Sequence, residues 1–266
     1  MTQNSREQEI LRRIQTALNA ASAILKNFNA SNVQVRYKPG RHVVTEADHA
    51  VNDKLHRILV RNGEGWLSEE SPDDFARLNH KKVWIVDPLD GTREFLAGIP
   101  EWCVSIALVE NGIAIAGGIC NPVTSETFLG SRNSGLKYNA TRAHASQRTQ
   151  LKGALVLSSR SETRRGEWNQ FQKAEFTAQP MGSVAYKLAR VAVGSADATW
   201  TLVPKNEWDV AAGVALVEAG GGVVRNLEGH PIKFNNRNPR IPGLVACGAG
   251  LYDQIAALLT TVERYQ

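Results

Sequence analysis

Ile10, Leu11, Ile14, Leu18, Ala21 and Leu25 recur at the spacing of one helical face, and Ser5 followed by Gln8 has the form of a capping box ahead of them. The chain thus opens on a predicted amphipathic helix. A polar segment containing Pro39 and Gly40 leads to Val43, Val44 and Thr45, after which Val51, Leu55, Ile58 and Leu59 mark a second helix. A short segment then ends in Ser68, Glu69, Glu70 and Ser71. Beyond a polar excursion, the apolar run from Val83 reads as a buried strand that stops at Asp87. The runs Val104–Val109, Ile113–Ile119 and Thr127–Leu129 alternate or stay apolar between turn residues, which predicts an antiparallel meander. Helices followed by clustered strands make residues 1–150 an α+β unit.

From Leu151 the texture changes. Leu155–Leu157 reads as a strand and precedes a polar stretch, and Gly182 and Ser183 open a helix carrying Val184, Leu188, Val191 and Ala192. Ala198–Val203 predicts a strand, and Trp208–Ala219 a helix ended by Gly220, Gly221 and Gly222. Alternation of strand and helix makes residues 151–266 an α/β unit. There is no internal repeat and no low-complexity linker between the halves.

Bulk chemistry narrows the function classes. The 266 residues can bury a large core, and 31 Lys+Arg against 26 Asp+Glu give a net charge of +5. The basic residues are scattered, which speaks for a solvated surface over a nucleic-acid footprint, although a modest positive field also attracts a phosphorylated metabolite. Cys103, Cys120 and Cys247 lie far apart without a Cys-x-x-Cys pair, so neither a zinc site nor a disulfide framework is indicated. The six histidines show no metal-ligand spacing. No stretch is long and apolar enough to cross a bilayer, and Arg6, Glu7, Glu9, Arg12 and Arg13 make the N-terminus too charged for a signal peptide. The expectation is a soluble, cytoplasmic protein with no membrane and no nucleic-acid polymer as partner.

Candidate chemistry begins at the end of the Val83 run. Asp87 and Asp90 face each other across a Pro-Leu step before Gly91 and Thr92. Carboxylates crowded at one strand end repel each other unless a cation lies between them, and oxygen ligands favour a hard ion such as Mg²⁺. A solvated β-turn is the competing reading of the same residues. Three more acids stand at element ends. Asp48 completes a capping box with Thr45 or belongs to a site; Asp209 offsets a helix dipole or does likewise; Glu69 is solvated or joins them.

Four segments, in order, resemble the signatures of the inositol monophosphatase superfamily of Mg²⁺-dependent, lithium-sensitive phosphomonoesterases. They are Val44-Thr45-Glu46-Ala47-Asp48, Ser68-Glu69-Glu70-Ser71, Trp84-Ile85-Val86-Asp87-Pro88-Leu89-Asp90-Gly91-Thr92, and Trp208-Asp209-Val210-Ala211-Ala212-Gly213. The resemblance implies a layered αβαβα sandwich of the inositol monophosphatase and fructose-1,6-bisphosphatase type. It makes Glu69, Asp87, Asp90 and Asp209, with the Leu89 carbonyl, ligands of two or three Mg²⁺ ions. Thr92, with Asp48 or Glu69 behind it, becomes the group that orients and deprotonates water. Gly91, Thr92, Gly182, Ser183, Lys187 and Asp209 are the expected substrate contacts, the first two and Gly182–Ser183 through amides at helix starts. A solvated role is equally open for Lys187.

Within the superfamily, Asp90-Gly91-Thr92-Arg93-Glu94-Phe95, Ser159-Arg160-Ser161 and Pro204-Lys205-Asn206-Glu207 are similar to the CysQ-like 3'(2'),5'-bisphosphate nucleotidases. The inositol enzymes carry a hydroxyl-binding glutamate where Leu202 stands here. Adenosine 3',5'-bisphosphate is therefore the expected substrate, with inositol 1-phosphate or another sugar phosphate as the alternative. A regulatory protein-binding module is the non-catalytic alternative, and a homodimer is compatible with the resemblance.

Overall fold

The computed structural model describes residues 3–28, 33–38 and 42–262. Helix α1 (Gln3–Leu25) precedes a hairpin of β1 (Val35–Lys38) and β2 (His42–Thr45), then α2 (Glu46–Leu59) and β3 (Glu64–Ser68). β4 (Lys82–Asp90) runs into the short α3 (Thr92–Leu96). Five strands follow: β5 (Cys103–Glu110), β6 (Ile113–Asn121), β7 (Glu126–Ser131), β8 (Gly135–Tyr138) and β9 (Thr141–Ala143). β3 lies parallel to β4, and every later neighbour is antiparallel, giving a seven-stranded sheet in chain order. The predicted meander is present and is two strands longer than the apolar runs indicate.

The rest of the chain adds β10 (Leu155–Ser159), α4 (Arg160–Arg164), β11 (Thr177–Met181), α5 (Val184–Ala192), β12 (Ala198–Thr201) and β13 (Lys205–Asn206). It closes with α6 (Glu207–Ala219), β14 (Gly222–Asn226), β15 (Arg240–Ile241), β16 (Leu244–Gly248) and α7 (Tyr252–Leu259). A mixed five-stranded sheet has the order β11-β10-β12-β16-β14. Its edge strand β11 exposes Thr177, Ala178, Gln179 and Pro180. That exposure is why the segment reads as polar in sequence.

Alternation along the strands sets the layers. On β4, Trp84 and Val86 pack with Ile14, Leu18, Val51 and Leu55 of α1 and α2. Val83 and Ile85 point the other way, into a core shared with α5, α6 and, from the second sheet, Leu157, Leu244 and Ala246. The far face of that sheet packs Val156, Trp200 and Val245 against Trp168 and α7 residues Ile255 and Leu259. The layers run helix, sheet, helix, sheet, helix. Helix α6, between two sheets, buries Val210 through Val217 without a break, so no polar face survives in its sequence.

Adjacent glycines in β6 set how closely the layers approach. A Cβ on Gly117 would lie 2.6 Å from the carbonyl oxygen of Ala212 in α6, and one on Gly118 would lie 2.3 Å from Cγ2 of Ile14 in α1. Only hydrogen atoms fit at both positions.

Three boundaries differ from expectation. Ser5 lies inside α1, which already begins at Gln3, so it is not the helix cap. β4 does not stop at Asp87 but continues through Pro88 to Asp90, with a register shift against β5 between the two acids. Pairing resumes at Asp90 with Cys103, because a bulge absorbs the proline that a regular ladder would reject. β12 ends at Thr201, two residues early. Pro39 and Gly40 lie outside the described residues. Among those described, no helix is long and apolar enough to cross a membrane.

Candidate active site and metal centre

The bulge at the end of β4 turns Asp87 and Asp90 toward the start of α6. Asp87, 1 % exposed, accepts the Leu89 amide at 2.9 Å. Asp209, in the first turn of α6, accepts the Asn206 amide at 2.8 Å, so it does complete a capping box, as Asp48 does with Thr45 in α2. Capping a helix leaves each of these acids at a helix start. Glu69 follows β3 in a turn fastened by Asn52 of α2, whose side chain accepts from Ser68 Oγ at 2.7 Å and donates to Ser71 Oγ at 3.1 Å.

Glu69, Asp87 and Asp209 each offer an oxygen within 4.8 Å of the others. Asp90 is engaged differently: its Oδ2 accepts from Ser183 Oγ and from the Ala185 amide, both at 2.6 Å. Burial, and after it the charges of Glu69, Asp90 and Asp209, push the Asp87 carboxyl well above the usual carboxylate range. Burial and Asp90 raise Asp209 to about 7. Acids in such a group resist ionising together unless a cation compensates them, and a donor set of oxygens alone fits hard Mg²⁺.

Beside this cup, Thr92 Oγ1 donates to the Leu89 carbonyl at 3.1 Å and lies 3.5 Å from Asp48 Oδ1. Burial raises Asp48 to about 6 against the hydrogen bonds from Thr45 that lower it. Gly91, at φ 99°, lets the chain turn from β4 into α3; a Cβ there would also press within 3.0 Å of the Glu101 carbonyl oxygen.

These groups border a cleft of about 340 Å³ that Arg93, Arg160, Lys187 and Lys205 also line. Lys187 is 4 % exposed, and its ammonium donates to the Met181 carbonyl at 3.4 Å. Burial, then the Lys205 charge, lowers it to about 8. Lys205 pairs with buried Glu162 at 3.0 Å. Arg160 pairs with Glu101, while its buried Nε–H has no hydrogen-bond partner among the described residues. A larger recess of about 600 Å³ touches Glu69 and Trp208 but includes neither Asp87, Asp90 nor Asp209, so the chemistry lies in the smaller cleft.

Two expected contacts are otherwise occupied. The Ser183 hydroxyl donates to Asp90 and accepts the Tyr186 amide, and the Gly182 amide donates to Glu101 at 2.7 Å. The start of α5 thus holds Asp90 and Glu101 through the Gly182 and Ala185 amides and the Ser183 hydroxyl. Leu202 is 7 % exposed and packs in the core with Trp168 and Trp200, while Pro204, Lys205 and Asn206 line the cleft nearby. Arg160, Lys205 and Glu94 escaped assignment to the site although they sit in the segments Ser159–Ser161, Pro204–Glu207 and Asp90–Phe95; those segments marked a branch, and nothing in them showed which side chains face one cleft.

The model of the inositol monophosphatase family matches residues 6–263. The chain belongs to that family. An inositol-1-monophosphatase of Mesorhizobium japonicum is 34 % identical over 233 residues, covering 84 % of this chain and 87 % of that protein. The crystal structure of extragenic suppressor protein suhB from Bartonella henselae superposes with a TM-score of 0.81 at 29 % identity, covering 95 % of this chain and 99 % of that one. CysQ from Bacteroides thetaiotaomicron shares the fold, with a TM-score of 0.74 at 24 % identity over 91 % of this chain and 98 % of its own. Mg²⁺-dependent phosphatase chemistry is typical of the inositol monophosphatase family, and the acid group described above can take a metal ion.

Proposed function

We propose that this family member is a 3'(2'),5'-bisphosphate nucleotidase that removes the 3'-phosphate of adenosine 3',5'-bisphosphate. The observation that carries the reading is that Lys187, Lys205 and Arg160 line the same cleft as the acids. A single scissile phosphate is already balanced by metal ions in the acidic cup. Further cations in one cleft, Lys187 buried and Lys205 and Arg160 partly buried, suit a second phosphate on the same molecule.

Glu69, Asp87, Asp90 and Asp209, with the Leu89 carbonyl, hold two or three Mg²⁺ ions in this reading. Bound there, Mg²⁺ lowers the pKa of water and neutralises charge on the attacking and leaving oxygens. The protein's own part is positional. Thr92 Oγ1, its proton directed to the Leu89 carbonyl or Asp48, keeps a lone pair for a water hydrogen, and Asp48 provides the carboxylate that holds the proton released. No covalent enzyme intermediate is required.

Inositol 1-phosphate or another sugar phosphate is the second reading, supported by the name of the Mesorhizobium relative. Phosphate release by the purified protein with Mg²⁺ tests the choice. The nucleotidase should act on adenosine 3',5'-bisphosphate faster than on inositol 1-phosphate, and the reverse order moves it to the inositol branch. Absence of release from either supports a protein-binding role.

A further inference from the structure

Glu94 is the one carboxylate lining the cleft that lies outside the acidic cup. It stands in the first turn of α3, two residues after Thr92, and is half-buried. Its own backbone N–H is its hydrogen-bond donor, and no side chain among the described residues donates to it. Arg160 and Lys187 attract it from a distance but are hydrogen-bonded to Glu101 and to the Met181 carbonyl. Gly182 shapes its position: a Cβ there would lie 2.4 Å from Glu94 Cγ and 2.8 Å from Oε1. The carboxylate is therefore confined beside the reaction centre with lone pairs to offer.

An acceptor there lines the same cleft as the acids, two residues from Thr92. We propose that Glu94 accepts a hydrogen bond from the substrate hydroxyl vicinal to that ester, the 2'-hydroxyl of a ribose 3'-phosphate or the neighbouring hydroxyl of a cyclitol phosphate. The proposal rests on the phosphatase reading but not on the choice between nucleotide and inositol ester. It also supplies, from α3, the acceptor that the sequence seemed to lack at Leu202. A half-buried acceptor left unpaired by a deoxy analogue penalises that analogue.

The test compares kcat/KM for adenosine 3',5'-bisphosphate and its 2'-deoxy analogue in wild type, Glu94→Ala and Glu94→Gln. Wild type should prefer the ribose form by about tenfold or more. Glu94→Ala should bring the ratio near one, mainly through KM, and Glu94→Gln should keep much of it because the amide oxygen still accepts. Where the alanine variant does not fold, Glu94→Met preserves bulk and serves instead. A wild type without preference, or a ratio unchanged by Glu94→Ala, overturns the proposal, since a residue that only supports α3 would change stability and leave selectivity alone. Inositol 1-phosphate against its analogues deoxygenated at a carbon flanking the ester gives the same readout independently. Should nucleotides not be hydrolysed, the nucleotidase reading falls while this second pair still decides the role of Glu94.

Discussion

Asp48 Oδ1 and Thr92 Oγ1 lie 3.5 Å apart, joining α2 to α3 across 44 residues of sequence. Each alone is ordinary, one a capping residue and the other a helix start. As a relay they act as one unit, so Asp48→Asn and Thr92→Ala should each lower kcat about 10²–10⁴-fold with little change in KM. The double variant should be scarcely worse than either single one. Steady-state kinetics of the three proteins checks this, and additive losses would separate the two residues.

The burial that raises Asp48 from 3.8 to about 6 also predicts a pH dependence of stability. Between those values the folded protein holds a proton that the unfolded chain has released, so folding stability falls as pH rises through the window. Asp48→Asn never ionises and escapes that fall. Urea unfolding at pH 4 and pH 8 should show the asparagine variant gaining on wild type at the higher pH. An equal gap at both would mean that Asp48 ionises in the folded protein as easily as in water.

Mg²⁺ should stabilise the wild type by mass action, because it binds the folded acid group and not the dispersed acids of the unfolded chain. Thermal unfolding without divalent ions should give a lower Tm, recovered by millimolar Mg²⁺. Asp87→Asn removes the most buried member of the group and the repulsion around it. That variant should therefore unfold at or above the Tm of metal-free wild type and respond weakly to Mg²⁺. A full response in Asp87→Asn would place the ion elsewhere.

Legibility followed locality. Asp87, Asp90 and Thr92 are close in sequence, and the bulge that turns them inward adds nothing a reader needs to notice their chemistry. The apolar alternation of β5 to β7 exposed the meander for the same reason. β11 stayed hidden because an edge strand with four exposed residues has no apolar signature. Ser183 was legible as a helix cap, but its engagement by Asp90 spans 93 residues and no pattern along the chain records it. Leu202 shows the converse: the resemblance matched it to a site position, whereas just past the end of β12 it packs in a core with Trp168 and Trp200.

Lys187 and Lys205 should separate binding from stability. Replacing either by Met removes a cation from the substrate's second anion and should raise KM for adenosine 3',5'-bisphosphate about tenfold, the scale of a lost charge-assisted hydrogen bond. A simple monophosphate ester should be affected far less. Stability should move in opposite directions. Lys187→Met deletes a buried charge held down to about 8 by desolvation and by its neighbour, and should keep or raise Tm. Lys205→Met strips the ion partner from Glu162, which is 2 % exposed, and should lower it. Equal KM effects on mono- and bisphosphates would remove the second-anion site.

Gly117 and Gly118 offer a control built into one strand. Alanine at either overpacks a filled interface and should cost about 1–3 kcal/mol in denaturant unfolding. The functional consequences should differ. At 117 the new methyl meets the backbone of Ala212, one helical turn from Asp209, so α6 must yield and carry a candidate metal ligand away from Asp87. At 118 it meets the Ile14 and Leu18 side chains of α1, which holds none of the site residues. Gly117→Ala should therefore raise the Mg²⁺ concentration needed for half-maximal activity, whereas Gly118→Ala should lose comparable stability with that concentration unchanged. A similar Mg²⁺ requirement in both would show that α6 is anchored at Asp209 independently of its contact with β6.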